Sequence, residues 1–204
     1  SKIIFPSTHV VFEGFKKVKK NITEKEKPKP ILTYSTSKVQ NEEDIKKSKK
    51  NFIILRLGSV YGYSGDTMRI NIMPNLFSKI ASQNGKINLF GGGVQFKSLV
   101  SVIDVVRCLK FMGERDDINN EIFHLTNEQM TVKQIAEICK KINPSITLTK
   151  TNDEIPNKGY TLSNKKLLKT GFKFLYNIKQ SIEEMIKKWK FSEKNKHLEY
   201  VYGG

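Results

Sequence analysis

Arginine is scarce in this 204-residue chain. Arg56, Arg69, Arg107 and Arg115 are the only four among 36 Lys and Arg residues, so lysine carries nearly all of a formal net charge of +16. That scarcity counts against a nucleic-acid binder, because base-edge readout and bidentate phosphate grip favour the planar guanidinium. The lysines cluster at 16–20, 46–50 and 187–188 without interleaved aromatics and read as solvated faces. A modest pull on anionic small molecules is the better reading of the charge. Cysteine is limited to Cys108 and Cys139, with no CxxC pair and no His/Cys cluster. This argues against a metal site and against a disulfide framework, leaving buried, reduced thiols as the expectation. No apolar run approaches the ~18 residues of a membrane span, and no cationic-then-apolar leader opens the chain. A cytoplasmic protein with no membrane and no nucleic-acid partner is therefore expected. What is present supports a packed core: 38% of residues are hydrophobic and 10% aromatic, more than a disordered chain carries.

Strand and helix patterns alternate along the chain. Apolar residues at 2–5 and 10–12 predict a buried strand and its exit, and a polar Lys/Pro-rich loop follows over 16–30. A helical pattern over 33–49 leads into the strand-length run Asn51-Phe52-Ile53-Ile54-Leu55-Arg56-Leu57. Strand, helix and strand in that order argue for a parallel sheet with crossover helices. The glycines of 58–66 predict a loop, and 70–81 a helix with Leu76, Phe77 and Ile80 on one face. A short strand then breaks at the Gly91–Gly93 turn, 98–112 begins extended and turns helical near Asp104, and 121–127 is another strand. Thr131 is placed to cap a helix bearing Ile135, Ile138, Cys139 and Ile142 at i, i+3, i+4 and i+7. Ile182, Met185, Ile186 and Trp189 repeat that spacing in a last helix.

The chemistry is concentrated near Thr33-Tyr34-Ser35-Thr36-Ser37-Lys38. Tyr34 and Lys38 are four apart, so a helix presents them on one face. A phenol titrates near 10 and is a poor base at neutral pH, but a neighbouring ammonium stabilises the phenolate. The same lysine keeps donors for a ribose hydroxyl. Tyr-x-x-x-Lys alone is a common pattern, and a surface lysine beside a half-buried tyrosine explains it more readily. Its neighbours add weight: a hydroxyl residue, Thr8, ends the first strand, and Leu57-Gly58-Ser59-Val60-Tyr61-Gly62 follows the next.

These segments, together with Asn88-Leu89-Phe90-Gly91-Gly92-Gly93 and the run to Asp104, resemble in order the motifs of the extended short-chain dehydrogenase/reductases. Within that family the resemblance is to the nucleotide-sugar epimerases and dehydratases, and it covers nearly the whole chain. It implies an α/β fold: the back portion of a doubly wound, Rossmann-like parallel sheet from 1–66 with 98–127, and a smaller α/β substrate domain from 67–97 with 128–204. It implies transient hydride transfer between NAD or NADP and a hydroxyl of a nucleoside-diphosphate sugar. Thr8, Tyr34 and Lys38 fall on the catalytic positions, with Tyr34, Lys38 and Gly58 toward the cofactor. Ser59, Asn71, Phe90 and Lys97 fall on substrate-binding positions, Glu42 on an acidic position of structural role, and Asp104 on the aspartate after the last motif. No metal is implied, and a homodimer is allowed for the complete protein, through the helix bearing Tyr34.

The departures from the family pattern are informative. Ser59 replaces an asparagine, and Lys97 replaces an arginine, keeping charge but losing bidentate geometry. His9 and Val10 stand where the sugar 4,6-dehydratases have Asp-Glu, so that elimination is not expected. His9 itself reads more readily as a packing or capping residue, and His124 and His197 show no evident partner. Glu13 occupies a glycine position with Gly14 one later, which predicts a displaced turn. The family's glycine-rich dinucleotide fingerprint does not occur. Gly91–Gly93 does not substitute for it, since no helix start follows to hold a pyrophosphate. The resemblance thus implies a further portion ahead of Ser1, on the order of 100 residues at ~30 per strand–helix unit. The rival expectation is a non-catalytic remnant or interaction module that lacks the cofactor cradle.

Overall fold

The computed structural model describes residues 1–65, 67–155 and 158–192. Three strands form a wholly parallel sheet in the order β1-β3-β7: β1 (Lys2–Thr8), β3 (Asn51–Leu57) and β7 (Glu121–Leu125). Ile53, Ile54 and Leu55 in the central β3 are all fully buried, which is why this strand reads as a continuous apolar run rather than an alternating one. Helix α1 (Thr33–Lys47) crosses from β1 to β3, and α3 (Val102–Gly113) lies against β1 and β6 (Phe96–Ser101).

A second sheet joins β4 (Ser59–Tyr61) parallel to β6, with β8 (Glu128–Thr131) antiparallel on the far side. Two small parallel pairs complete the strands: β5 (Lys86–Leu89) with β9 (Thr147–Lys150), and β2 (Lys19–Ile22) with β10 (Tyr160–Leu162). The helices α2 (Met73–Ser82), α4 (Val132–Ile142) and α6 (Ile178–Lys190) pack together around one core. That core contains Leu76, Phe77, Ile135, Cys139, Ile182, Met185, Ile186 and Trp189. Thr131 caps α4 as its spacing predicts, in a capping box with Gln134. A second core, with Ile53, Leu55, Val100, Cys108, Met112 and Phe123, fills the space between the main sheet and α3. Leu167, on the short helix α5 (Lys165–Leu168), and Phe172 join this second core.

The exit from β1 at residues 9–12 is a 3-10 turn, because the Thr8 hydroxyl accepts from the Val10 amide and caps it. Two local expectations are corrected. The Lys/Pro-rich stretch contains β2, whose Ile22 is buried through pairing with the distant β10. The glycine-flanked loop contains β4, held by β6. Gly58 ahead of it is explained by packing, since a side chain there would meet the Ser98 carbonyl oxygen at 2.7 Å.

Helix α1 differs from the others. Its buried residues are polar, Ser35 and Glu42, so an apolar stripe does not dock it. Polar bonds do. The Glu42 carboxylate receives Arg56 Nη2 at 2.7 Å and Nε at 3.0 Å, and the Ser7 hydroxyl at 2.5 Å. Both ends of this ion pair are buried, with 1% exposure for Glu42 and 2% for Arg56.

Candidate functional site

The site forms at the C-terminal end of β1. Ser7 and Thr8 are buried there as the strand ends, and open parallel sheets place ligands at that end. The Thr8 hydroxyl accepts from Val10 N at 3.3 Å, which leaves its proton free to donate.

Helix α1 brings Tyr34 and Lys38 to the same place. Lys38 Nζ donates to the Pro6 carbonyl oxygen at 3.0 Å, two residues before Thr8, and lies 4.6 Å from the Phe5 ring centre. The same ammonium is 5.9 Å from the centre of the Tyr34 ring. Tyr34 is 56% exposed, so its phenol is open to a ligand. The first turn of α1 carries no cap from its own N-cap residue, Leu32. Glu13 supplies the cap from outside: its Oε1 accepts from Ile31 N at 3.1 Å, from Leu32 N at 2.8 Å and from the Ser35 hydroxyl. Burial pushes the Glu13 carboxyl up, but these donors and nearby His9 outweigh it and hold it below its usual value. Gly14, next to Glu13, stands where the chain packs tightly. A side chain on Gly14 would lie 2.5 Å from the Lys29 carbonyl oxygen, which the Gly14 amide bonds at 2.8 Å.

On the other side of Thr8, His9 joins three elements. His9 Nε2 lies 3.2 Å from Ser59 Oγ on β4, and His9 Nδ1 lies 3.1 Å from Tyr160 Oη on β10. The Tyr160 phenol also donates to the His9 carbonyl oxygen at 2.8 Å. Burial, then the Lys97 charge, pull the His9 imidazole down to about 4, against an opposing pull from Glu13. Burial also lowers the Lys97 ammonium and, with the Glu13 charge, raises the Tyr160 phenol. His9 thus ties the turn after Thr8 to Ser59 and Tyr160, with the Lys97 charge acting on its ring.

Asn71 and Phe90 stand on other elements. Asn71 is exposed just ahead of α2, and Phe90 opens the 3-10 turn after β5 with 39% exposure. Asn75, which the sequence does not single out, is buried: it accepts from Gly62 N and donates to the Arg69 carbonyl, both at 3.0 Å, bracing the loop between β4 and α2. Asp104 is buried and structural in its contacts, accepting from Arg107 at 2.5 Å and from the amides of Leu175 and Tyr176. His124 is fully buried and pulled down to about 3, chiefly by burial. His197 lies outside the described residues. Among the described residues no His/Cys/Asp/Glu group could hold a metal ion, and no helix is long and apolar enough to cross a membrane.

Sequence reasoning missed Glu13 as a cap and Tyr160 as a partner of His9. Only the turn offset at Gly14 signalled the first, and nothing local signals the second.

Comparisons with known proteins place the chain in a family and a fold. Residues 1–191 match the model of the RmlD substrate binding domain. The chain belongs to that family, and with it to the extended short-chain dehydrogenase/reductases. Among solved structures it is similar to a UDP-glucose 4-epimerase from Thermotoga maritima bound to UDP-glucose, at 22% identity and a TM-score of 0.79 over 93% of this chain and 63% of that one. It is also similar to a UDP-glucuronic acid 4-epimerase from Bacillus cereus in complex with UDP-glucuronic acid and NAD, at 21% identity and a TM-score of 0.78 over 93% and 62%. A Thermus thermophilus UDP-glucose 4-epimerase in complex with NAD matches at 17% identity and 0.73 over 94% and 65%. At these identities the likeness establishes a shared Rossmann-like α/β fold. The chain spans somewhat under two thirds of the length of each.

Proposed function

We propose that the protein is an NAD(P)-dependent nucleoside-diphosphate-sugar epimerase or a related reductase. One observation carries this reading: Lys38 donates to the Pro6 carbonyl, two residues before Thr8, and its ammonium lies 5.9 Å from the centre of the Tyr34 ring, which supports a joint role for Tyr34, Lys38 and Thr8. The solved structures with UDP-sugars and NAD support it by fold.

In this reading Tyr34 moves a proton to and from the reacting sugar hydroxyl, and Thr8 donates to the same oxygen and holds it in line. Lys38 spends one N–H on Pro6, leaving two for ribose hydroxyls and a positive charge beside the phenol. The nicotinamide group, when bound, accepts and returns the hydride. Tyr34 and Lys38 fit the ribose end of that cofactor, with Gly58 at the turn beyond β3. For the pyrophosphate no cradle stands among the described residues: Gly91 and Gly92 take left-handed conformations in a 3-10 turn that leads into a strand, not a helix. Lys97 and Ser59 meet the substrate beside Thr8, while Asn71 and Phe90 reach its diphosphate and base from the smaller part, 67–97 with 128–204. The larger part, 1–66 with 98–127, carries the catalytic trio. A homodimer and a cytoplasmic location belong to the same proposal.

The test is Tyr34→Phe in the complete protein, assayed on UDP- and dTDP-sugars with product configuration read by NMR. Turnover is expected to vanish while nucleotide-sugar binding stays within a few-fold. Near-normal turnover would remove Tyr34 from the acid–base role. The second reading, a non-catalytic module of the same family, rests on there being no pyrophosphate cradle among the described residues. It predicts no NAD(P) binding and no turnover in wild type.

A further inference from the structure

We infer that His9 dictates the direction of the Ser59 hydroxyl, so that Ser59 meets its ligand only as a hydrogen-bond acceptor. The partner it selects is then a donor: a sugar hydroxyl or an amide N–H. The ligand half of this inference rests on the nucleotide-sugar reading above. The proton order within the protein does not.

The argument is a count of protons. The His9 carbonyl oxygen can only accept, and Tyr160 Oη stands 2.8 Å from it. The single phenol proton is therefore committed there. His9 Nδ1 is 3.1 Å from the same Oη. With the phenol proton already used, Nδ1 must supply one of its own and donate to Oη. A neutral imidazole carries one N–H, so Nε2 is left with a lone pair. Burial and the nearby Lys97 charge keep the ring in that neutral form. Ser59 Oγ, 3.2 Å from Nε2, must then donate to it. Ser59 has one proton, and it is spent on His9. What remains on Oγ is lone pairs.

The consequence is a change of polarity at this position. The asparagine that the family resemblance places here can offer an N–H or a carbonyl. Ser59, held by His9, offers no proton. A ligand group that can only accept, such as an ether or a fluorine, gains nothing from it. One that donates gains a bond at the half-buried Ser59 hydroxyl. His9 acts here through Ser59 and is a positioning residue. Tyr160, far away in sequence, sets the ring's tautomer.

The deciding experiment is a long-range proton–nitrogen correlation spectrum of the histidine rings in the full, isotope-labelled chain near neutral pH. His9 is expected as the Nδ1–H tautomer with a bare Nε2. Ser59→Ala should shift the Nε2 resonance and leave the proton on Nδ1. Tyr160→Phe should move the proton toward Nε2 or give a mixture. A wild-type ring protonated on Nε2, or a tautomer that ignores Tyr160→Phe, overturns the inference. For the ligand, UDP-glucose and its four single deoxyfluoro analogues are titrated into the complete protein with and without Ser59→Ala. The loss of one net hydrogen bond predicts roughly tenfold weaker UDP-glucose binding in the variant. One analogue, lacking the donor that faces Ser59, should lose nothing further. Equal weakening of every analogue would refute the acceptor role. Failure of wild type to bind UDP-glucose would refute UDP-glucose as its ligand, while the ring spectrum still decides the proton order.

Discussion

Replacing Glu42 by alanine should be among the most damaging single changes in the chain. Arg56 is 2% exposed, and Glu42 meets it through two of its nitrogens, at 2.7 and 3.0 Å. The third, Nη1, has no hydrogen-bond partner among the described residues, and the Phe12 ring 5.3 Å away gives only a weak further contact. Removing the carboxylate strands a guanidinium in the interior and frees the Ser7 hydroxyl as well. Breaking a buried pair from one side costs about 3–5 kcal/mol, a large part of the roughly 5–15 kcal/mol that holds a domain together. For a chain of this size that corresponds to a Tm lower by roughly 6–20 °C. The assay is urea denaturation followed by Trp189 fluorescence, with the Tm from calorimetry. The companion variant, Glu42→Leu with Arg56→Met, removes both charges and should recover most of the loss, because paired apolar replacements are often neutral. A single-variant cost below about 1 kcal/mol, or a double variant as unstable as the single, would show that the pair is not what fastens α1 to the sheet.

Three other outcomes are expected. Glu13→Ala should speed amide exchange in the first turn of α1 by about 2- to 30-fold, the worth of a lost helix cap, while Glu13→Gln, which keeps an acceptor, should stay near wild type; equal effects in both would make charge rather than geometry the cause. Stability should fall as pH drops from about 6.5 toward 4, because the unfolded chain takes up protons that His9 and His124, pulled down to about 4 and about 3, refuse when folded; His124→Gln should flatten that slope, and an unchanged slope would sink the assignment. Cys108 and Cys139 are fully buried, and burial pushes both thiols up to about 12, so iodoacetamide at pH about 8 should label neither until denaturant is added; rapid labelling of the native chain would contradict their placement.

The legible parts of the sequence were those whose partners lie nearby or repeat with a period. Tyr34 and Lys38 share a helix face by spacing alone, α4 and α6 announce themselves by i, i+3, i+4 and i+7, and β3 by its unbroken apolar run. The hidden parts depend on distant partners. Ile22 becomes a strand residue only because β10 reaches it. Val10–Phe12 winds into a 3-10 turn because the Thr8 hydroxyl captures an amide. The His9 ring has no sequence signature of its own, since its roles are set by Ser59 and Tyr160, which are 50 and 151 residues away. Glu13 looked like a misplaced glycine and proved to be the anchor of the helix that carries Tyr34.

The link between His9 and Tyr160 also orders the molecule in time. Its ends are 151 residues apart, and closing so long a loop is slow compared with forming helix turns. During synthesis, β1, α1 and β3 can pair well before β10 leaves the ribosome. Tyr34, Lys38 and Thr8 can thus meet early, while His9 still swings freely and Ser59 keeps its proton. The corner of His9, Ser59 and Tyr160 is finished only when β10 arrives, so the selectivity proposed for it would mature after Thr8, Tyr34 and Lys38 are already in place.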